Sequence, residues 1–280
     1  MTRSLTLCFK MTRPHLIVLA TLSTWVVTRL SGGPNTAPTL QIVAPVVMAL
    51  SVLGASLYHF GAANAMYAKK NEALAVRNPW GRLALIIFGL VGILVAVVVT
   101  FHYLNRLCQA IVVVDATIVV FYARVLSRHW RTKNLPMAFV DISPLLLGWF
   151  CVGYRPYPGV PYGASAAFFA YLAREIVKDV QDIEVDRGFR ATLPLYLGVA
   201  LTRVIAGGML LLTLVSLGLL WTKLPGHSWY VLLVYLGSVW SFLSVVQSLF
   251  FRPAGQEARE IKEIMLGSGW LLLTFFLQIL

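Results

Sequence analysis

Along the chain, apolar residues come in long uninterrupted runs separated by short polar stretches, near 16–30, 41–60, 83–101, 108–125, 138–154, 162–177, 193–221, 228–250 and 265–280. A helix that spans a bilayer needs about 20 mostly apolar residues. Strands of a membrane barrel would be about ten residues long and would alternate in polarity. The runs do neither, and backbone groups in lipid must be satisfied within each segment, so the pattern predicts nine membrane-spanning helices. The first run follows MTRSLTLCFKMTRPH and resembles a signal peptide, but it lacks a convincing small-residue cleavage site and is read as a retained first helix.

Composition agrees with this reading. Of 280 residues, 59% are hydrophobic and 12% charged, against about a quarter charged in an ordinary soluble domain. Nine spans would use roughly 180 residues, which leaves no room for a separate soluble catalytic domain. The expectation is one all-α, multi-pass transmembrane domain over residues 1–280. The net charge of +12 would point to nucleic acid in a soluble protein, but here it reports orientation. With the N-terminus cytoplasmic, the 23 Lys and Arg fall in cytoplasmic segments except Arg29, Arg106, Arg155 and Lys223, outside, and Arg203, within the seventh run. That is the positive-inside rule, and it removes the need for a nucleic-acid partner. Cys8, Cys108 and Cys151 are isolated and the five histidines scattered, so no disulfide framework, zinc site or haem site is expected.

Acidic residues contribute little to topology, yet Glu175, Asp179, Asp182, Glu184 and Asp186 crowd into twelve residues. If REIVKDVQDIEVD continues the sixth helix, Arg174, Lys178, Asp182 and Asp186 fall on one face, two cations below two carboxylates. Such a carboxylate pair can share Mg²⁺, whose shell is completed by water and phosphate oxygens. The plainer alternative is a solvated helix end with an i,i+4 ion pair between Lys178 and Asp182. After the second run, HFGAANAMYAKKNEALAVRNPWGR places Asn64, Ala68 and Glu72 four apart, with Asn71 beside Glu72; alternatively it is an ordinary basic loop. Asp115, Asp141 and Arg203 lie inside apolar runs, where each must face a cavity or find a partner. Pro136 and Pro144 are expected to begin or kink the fifth helix, and RPYPGVPYG to form a tight external loop. Gly207 and Gly208 either permit close helix contact or soften the seventh span. P-loop, dinucleotide and GxSxG fingerprints are absent.

The stretch from Arg174 to Pro194, RExxKDxxDxxxD followed by a basic segment and TLP, resembles the second aspartate-rich motif of the UbiA superfamily of intramembrane prenyltransferases. Within it, the motif most resembles the digeranylgeranylglyceryl phosphate synthase-like members and the homogentisate or chlorophyll-type branches. YARVLSRHWRTKN, Tyr122 to Asn134, is similar to the family's segment between the fourth and fifth helices. The resemblance implies a nine-helix bundle with cytoplasmic motif loops at 61–82 and 174–194. It also implies Mg²⁺-dependent transfer of an isoprenoid chain from a polyprenyl diphosphate to a lipid or aromatic acceptor. Asp182 and Asp186 would then bind metal with Glu72 and Asn64; Arg174, Lys178 and Asn64 would bind diphosphate; Lys178, Asp182 and Asp186 would act in catalysis; and Asp179 would orient Lys178 or support the site from behind.

There are departures. The first motif, NDxxDxxxD, keeps Asn64 but has Ala65 and Ala68 for its first two aspartates and Glu72 at its end. In the second motif, Val185 replaces a glycine, and the interval to Thr192 is one residue short. Two alternatives follow from these changes: a catalytically silent subunit of a larger membrane complex that binds a prenyl lipid or pigment, and a terpene cyclase of the same type. A transporter would spread charge along a midplane pathway, whereas here it gathers at one face.

Overall fold

The computed structural model describes residues 13–33, 36–62, 78–122, 125–153, 157–188, 190–224 and 228–279. They form eleven α-helices: α1 Pro14–Gly32, α2 Pro38–Ala62, α3 Pro79–Tyr103, α4 Arg106–Tyr122, α5 Trp130–Phe150, α6 Val160–Gln181, α7 Ile183–Asp186, α8 Leu193–Leu197, α9 Val199–Trp221, α10 Trp229–Phe251 and α11 Glu257–Leu277. A 3₁₀ turn, Leu126–Arg128, precedes α5. Among the described residues there is no strand, only a backbone bridge between His129 and Ala191.

Local chemistry explains where these helices start and stop. Pro14 and Pro79 stand in the first turns of α1 and α3, where a missing N–H costs nothing. Asn78 caps α3 by accepting from Trp80 N at 3.0 Å. The seventh apolar run is not one helix: α8 and α9 are separated at Gly198, whose φ of 80° suits glycine. The fifth helix starts at Trp130, so Pro136 and Pro144 both lie inside it rather than at its start. Much of the RPYPGVPYG stretch is also helix, because α6 begins at Val160 with Pro161 in its first turn. Of the expected external loop, residues 155 and 156 lie outside the described residues.

Four helices, α2, α3, α9 and α10, are long and apolar enough to cross a membrane by length and composition. In α3 the buried residues Gly89, Ile93, Ala96 and Thr100 form one stripe, while Leu83, Ile87, Phe88, Leu94, Val98 and Phe101 are exposed. A helix apolar all round with one buried stripe is suited to a lipid-facing position. Three interior hydroxyls are satisfied within their own helices: Thr24, Thr28 and Thr100 each donate to the carbonyl four residues earlier, at 2.7–2.9 Å.

Helices pack α1 on α2 and α5, α2 on α3, α4 on α5, α5 on α6, α6 on α9 and α11, and α10 on α9 and α11; α11 returns to α1 and closes the ring. The α2–α3 contact depends on glycine. A Cβ at Gly54 would fall 2.8 Å from both Gly89 O and Ile93 N, which are backbone atoms that cannot swing away. We expect Gly54→Val to lower stability by about 1–3 kcal/mol through overpacking, read as the midpoint of SDS-induced unfolding. Of the paired glycines in α9, only Gly207 meets a neighbour, the Phe250 ring, where a Cβ would approach to 2.6 Å; Gly208 faces open space.

Candidate active site

A cavity of about 520 Å³ opens between α1, α2, α4, α5, α6, α7 and α11. Its two ends differ in chemistry. Leu16, Leu19, Val52, Ala55, Val119 and Val140 line its apolar depth. Toward the ends of α2, α4 and α6 the lining becomes polar, with His59, Tyr122, Lys178, Asp182, Asp186 and Arg190. Arg13, just before α1, and the Asp141–Arg174 pair contribute further charge.

All four residues expected in the second motif, Arg174, Lys178, Asp182 and Asp186, line this cavity. They are not one helical stripe, however. α6 ends at Gln181, Asp182 sits at the break with φ −92° and ψ 7°, and Asp186 lies on the one-turn helix α7. Nor does Lys178 pair with Asp182: it makes its ion pair with Glu175 at 3.3 Å. Glu175 is fully buried and also accepts from Arg174 Nη2 at 2.7 Å, so one carboxylate holds both cations in place. Arg174 is fixed further by Asp141 Oδ2 at 3.0 Å and by the Tyr171 ring, 5.1 Å from its guanidinium carbon.

Asp179 does not orient Lys178. It is buried against Lys133, with which it forms a hydrogen-bonded ion pair, and accepts from Asn134 Nδ2 at 3.0 Å. Lys133, only 3% exposed, reaches past Asp179 to stand 3.6 Å from Asp186 Oδ2. Arg190 approaches the other carboxylate oxygen of Asp186 at 3.7 Å. Asp186 Oδ2 is buried and has no hydrogen-bond partner. Because Asp186 lines the cavity and this oxygen is unsatisfied, the carboxylate can still take a further ligand.

The expected metal set is described only in part. Asn64 and Glu72, with Ala65, Ala68 and Asn71, lie outside the described residues. Among the described residues no group of three or more His, Cys, Asp and Glu is placed to hold a metal ion. The donors present, two cavity-lining carboxylates with one orphaned oxygen, fit Mg²⁺, which takes one or two carboxylates and fills its shell with water and phosphate.

The three intramembrane charges Asp115, Asp141 and Arg203 do not pair with one another. Asp141 both lines the cavity and pairs with Arg174. Arg203 is buried on α9 and pairs with Glu257 at 3.2 Å and Glu260 at 2.9 Å, both in the first turn of α11. It also donates to Ser248 O at 3.0 Å. Sequence reasoning treated Arg13 and Arg190 only as topology signals and placed no function on His59 or Tyr122, although these four line the charged end. Their signal in the sequence is weak, because each lies in a different segment.

The cavity is apolar in its depth and charged at its mouth, a lining whose shape and polarity match an amphiphile with an anionic head. Residues 58–266 match the UbiA prenyltransferase family, and the chain belongs to it. Over 203 residues it is 30% identical to the digeranylgeranylglyceryl phosphate synthase of Methanoregula boonei, covering 71% of each chain. It is also 27% identical over 206 residues to the enzyme of that name from Methanoculleus marisnigri, covering 70% of each. In fold it is similar to a solved digeranylgeranylglyceryl phosphate synthase, with a TM-score of 0.79 at 15% identity over 100% of this chain and 99% of that one. It is similar too to a UbiA homolog from Archaeoglobus fulgidus solved with GPP and Mg²⁺, with a TM-score of 0.67 at 12% identity, covering 97% and 98%. Membership of this family and the apolar helices make the chain an integral membrane protein.

Proposed function

We propose that the protein transfers an isoprenoid chain from a prenyl diphosphate to an acceptor in the membrane, and that Mg²⁺ is required. The observation that carries this reading is the single cavity joining Asp182, Asp186, Arg174, Lys178 and Arg190 to an apolar interior. The motif supports it, as do the relatives' names and the A. fulgidus homolog solved with a prenyl diphosphate and Mg²⁺. The topology that goes with it is nine spans, with the N-terminus and both motif loops on the cytoplasmic side, in accord with the distribution of Lys and Arg.

Asp182 and Asp186 would hold Mg²⁺, with Asn64 and Glu72 of the first motif completing the set. When bound, the metal would neutralise charge on the diphosphate and stabilise it as a leaving group. Lys178 and Arg174, oriented by Glu175, would hold phosphate oxygens, with Arg190 beside Asp186. As the bond from the allylic carbon to oxygen breaks, the electron pair leaves with the diphosphate, and these cations stabilise the growing charge. The apolar walls from Val52 to Val140 keep water from the allylic carbon until the acceptor attacks and loses its proton. A glyceryl-phosphate lipid is the acceptor favoured by the relatives' names, and Arg13 brings a cation into the same cavity from a different element.

The test is diphosphate release by the purified protein supplied with geranylgeranyl diphosphate, a membrane lipid extract and Mg²⁺. We expect release that stops on chelation, with a prenylated lipid as product. No release with donors from geranyl to decaprenyl diphosphate would refute the reading. One observation favours a second reading, a silent subunit that keeps the pocket: Ala65 and Ala68 stand where the first motif has aspartates. An inactive native chain that gains turnover in Ala68→Asp would establish it. Release without added acceptor, yielding a hydrocarbon product, would instead identify a cyclase.

A further inference from the structure

Beyond the apolar depth of the chamber lies a second, smaller cavity of about 40 Å³, and the two share Val52, Ala55, Val119 and Val140. Its lining is apolar except for Ser51 on α2, Asp115 on α4 and Ser143 on α5. Asp115 is 6% exposed and lines the cavity together with Ser143. The Ser143 hydroxyl also donates to Val140 O at 2.9 Å. Yet Asp115 Oδ1 and Ser51 Oγ, both buried, have no partner. Ser51 is unlike Thr24, Thr28 and Thr100, which bond back to their own helices.

Two orphaned oxygens on one small cavity are costly in a membrane interior, where a carboxyl is kept for pairing or function. The space exceeds the roughly 10–15 Å³ that one water-sized group needs. Asp115 lies about two turns further into α4 than Tyr122, roughly 10 Å at 1.5 Å per residue. The small cavity is thus set deep in the bundle, well removed from the charged mouth.

We propose that Asp115, Ser51 and Ser143 form a polar subsite at the inner end of the chamber that binds a hydroxyl group carried by a substrate. It rests on the prenyl-diphosphate reading for the placement of the substrate's charged head. The hydroxyl belongs either to the far end of the isoprenoid chain or to a phenolic acceptor lying beneath the diphosphate. In both cases Asp115 and the serines satisfy a group that the surrounding Val and Ile side chains would repel.

The experiment compares geranyl S-thiolodiphosphate with its ω-hydroxylated counterpart, titrated calorimetrically into the detergent-purified full chain with Mg²⁺. Phenol is compared with toluene by ligand-observed NMR. We expect about a tenfold preference for the hydroxylated member of one pair, of the size expected for re-pairing a buried polar group. That preference should persist in Asp115→Asn and vanish in Asp115→Leu, which should also raise the melting temperature of the ligand-free protein by removing an unpaired polar group. Preference in the diphosphate pair assigns the hydroxyl to the donor, and preference in the phenol pair assigns it to the acceptor. Equal binding within both pairs overturns the subsite and leaves a water site. If neither diphosphate binds, the prenyl-donor reading fails and the phenol pair alone decides the subsite.

Discussion

Asp182→Ala is expected to lower Mg²⁺-dependent diphosphate release by about a hundredfold or more, the usual cost of removing one group that stabilises charge in the transition state, while the protein stays folded. Asp182 is half-buried at the break between α6 and α7 and lines the cavity, so the substitution leaves both helices their backbone bonds. Asp186→Ala is a poorer test. That carboxylate also stands against Lys133 and Arg190, and its loss would leave a buried lysine with Asp179 alone. The two variants should therefore separate. Asp182→Ala should need more Mg²⁺ for half of its residual activity, whereas Asp186→Ala should also lose stability with its contacts to Lys133 and Arg190. Release at the native rate in Asp182→Ala would remove this carboxylate from the site.

The largest expected effect on stability lies away from the cavity. Arg203→Met should destabilise the bundle by about 3–5 kcal/mol, because it leaves Glu257 and Glu260 buried without their cation. The penalty falls on one junction, since Arg203 on α9 also donates to Ser248 O and Arg252 O, tying the end of α10 to the start of α11. Neutralising the acids as well, in Arg203→Met with Glu257→Gln and Glu260→Gln, should recover much of the loss, because the cost is the unpaired charge more than the missing bonds. SDS unfolding of the three proteins checks both statements. A loss below about 1 kcal/mol in the single variant, the range of an exposed surface pair, would show that water reaches these carboxylates.

Helical class and the second motif were legible in the sequence because each rests on a local signal: long apolar runs, and five acids within twelve residues. The break at Asp182 was not, since REIVKDVQDIEVD has no proline or glycine to mark it and its helical periodicity continues through the break. The partners of Asp179 escaped for a different reason. Lys133 and Asn134 stand 45 or more residues earlier in the chain and look there like ordinary interfacial polar residues. Arg203 needed a partner on physical grounds, but nothing local could choose Glu257 and Glu260 over Asp115, which the bundle places among other helices.

The bridge between His129 and Ala191 bears on traffic through the chamber. Trp130 N donates to Ala191 O at 2.7 Å and Ala191 N to Arg128 O at 2.8 Å, which fastens the segment beyond Asp186 to the start of α5. Two backbone hydrogen bonds thus hold this segment against the start of α5. The Lys178 side chain, by contrast, is 42% exposed while still lining the cavity, so the charged mouth already communicates with solvent there. Under the proposed reaction, diphosphate would leave through this exposed side of the cavity beside Lys178. Under the proposed transfer to a lipid acceptor, a prenylated product would instead have to leave sideways between helices into lipid.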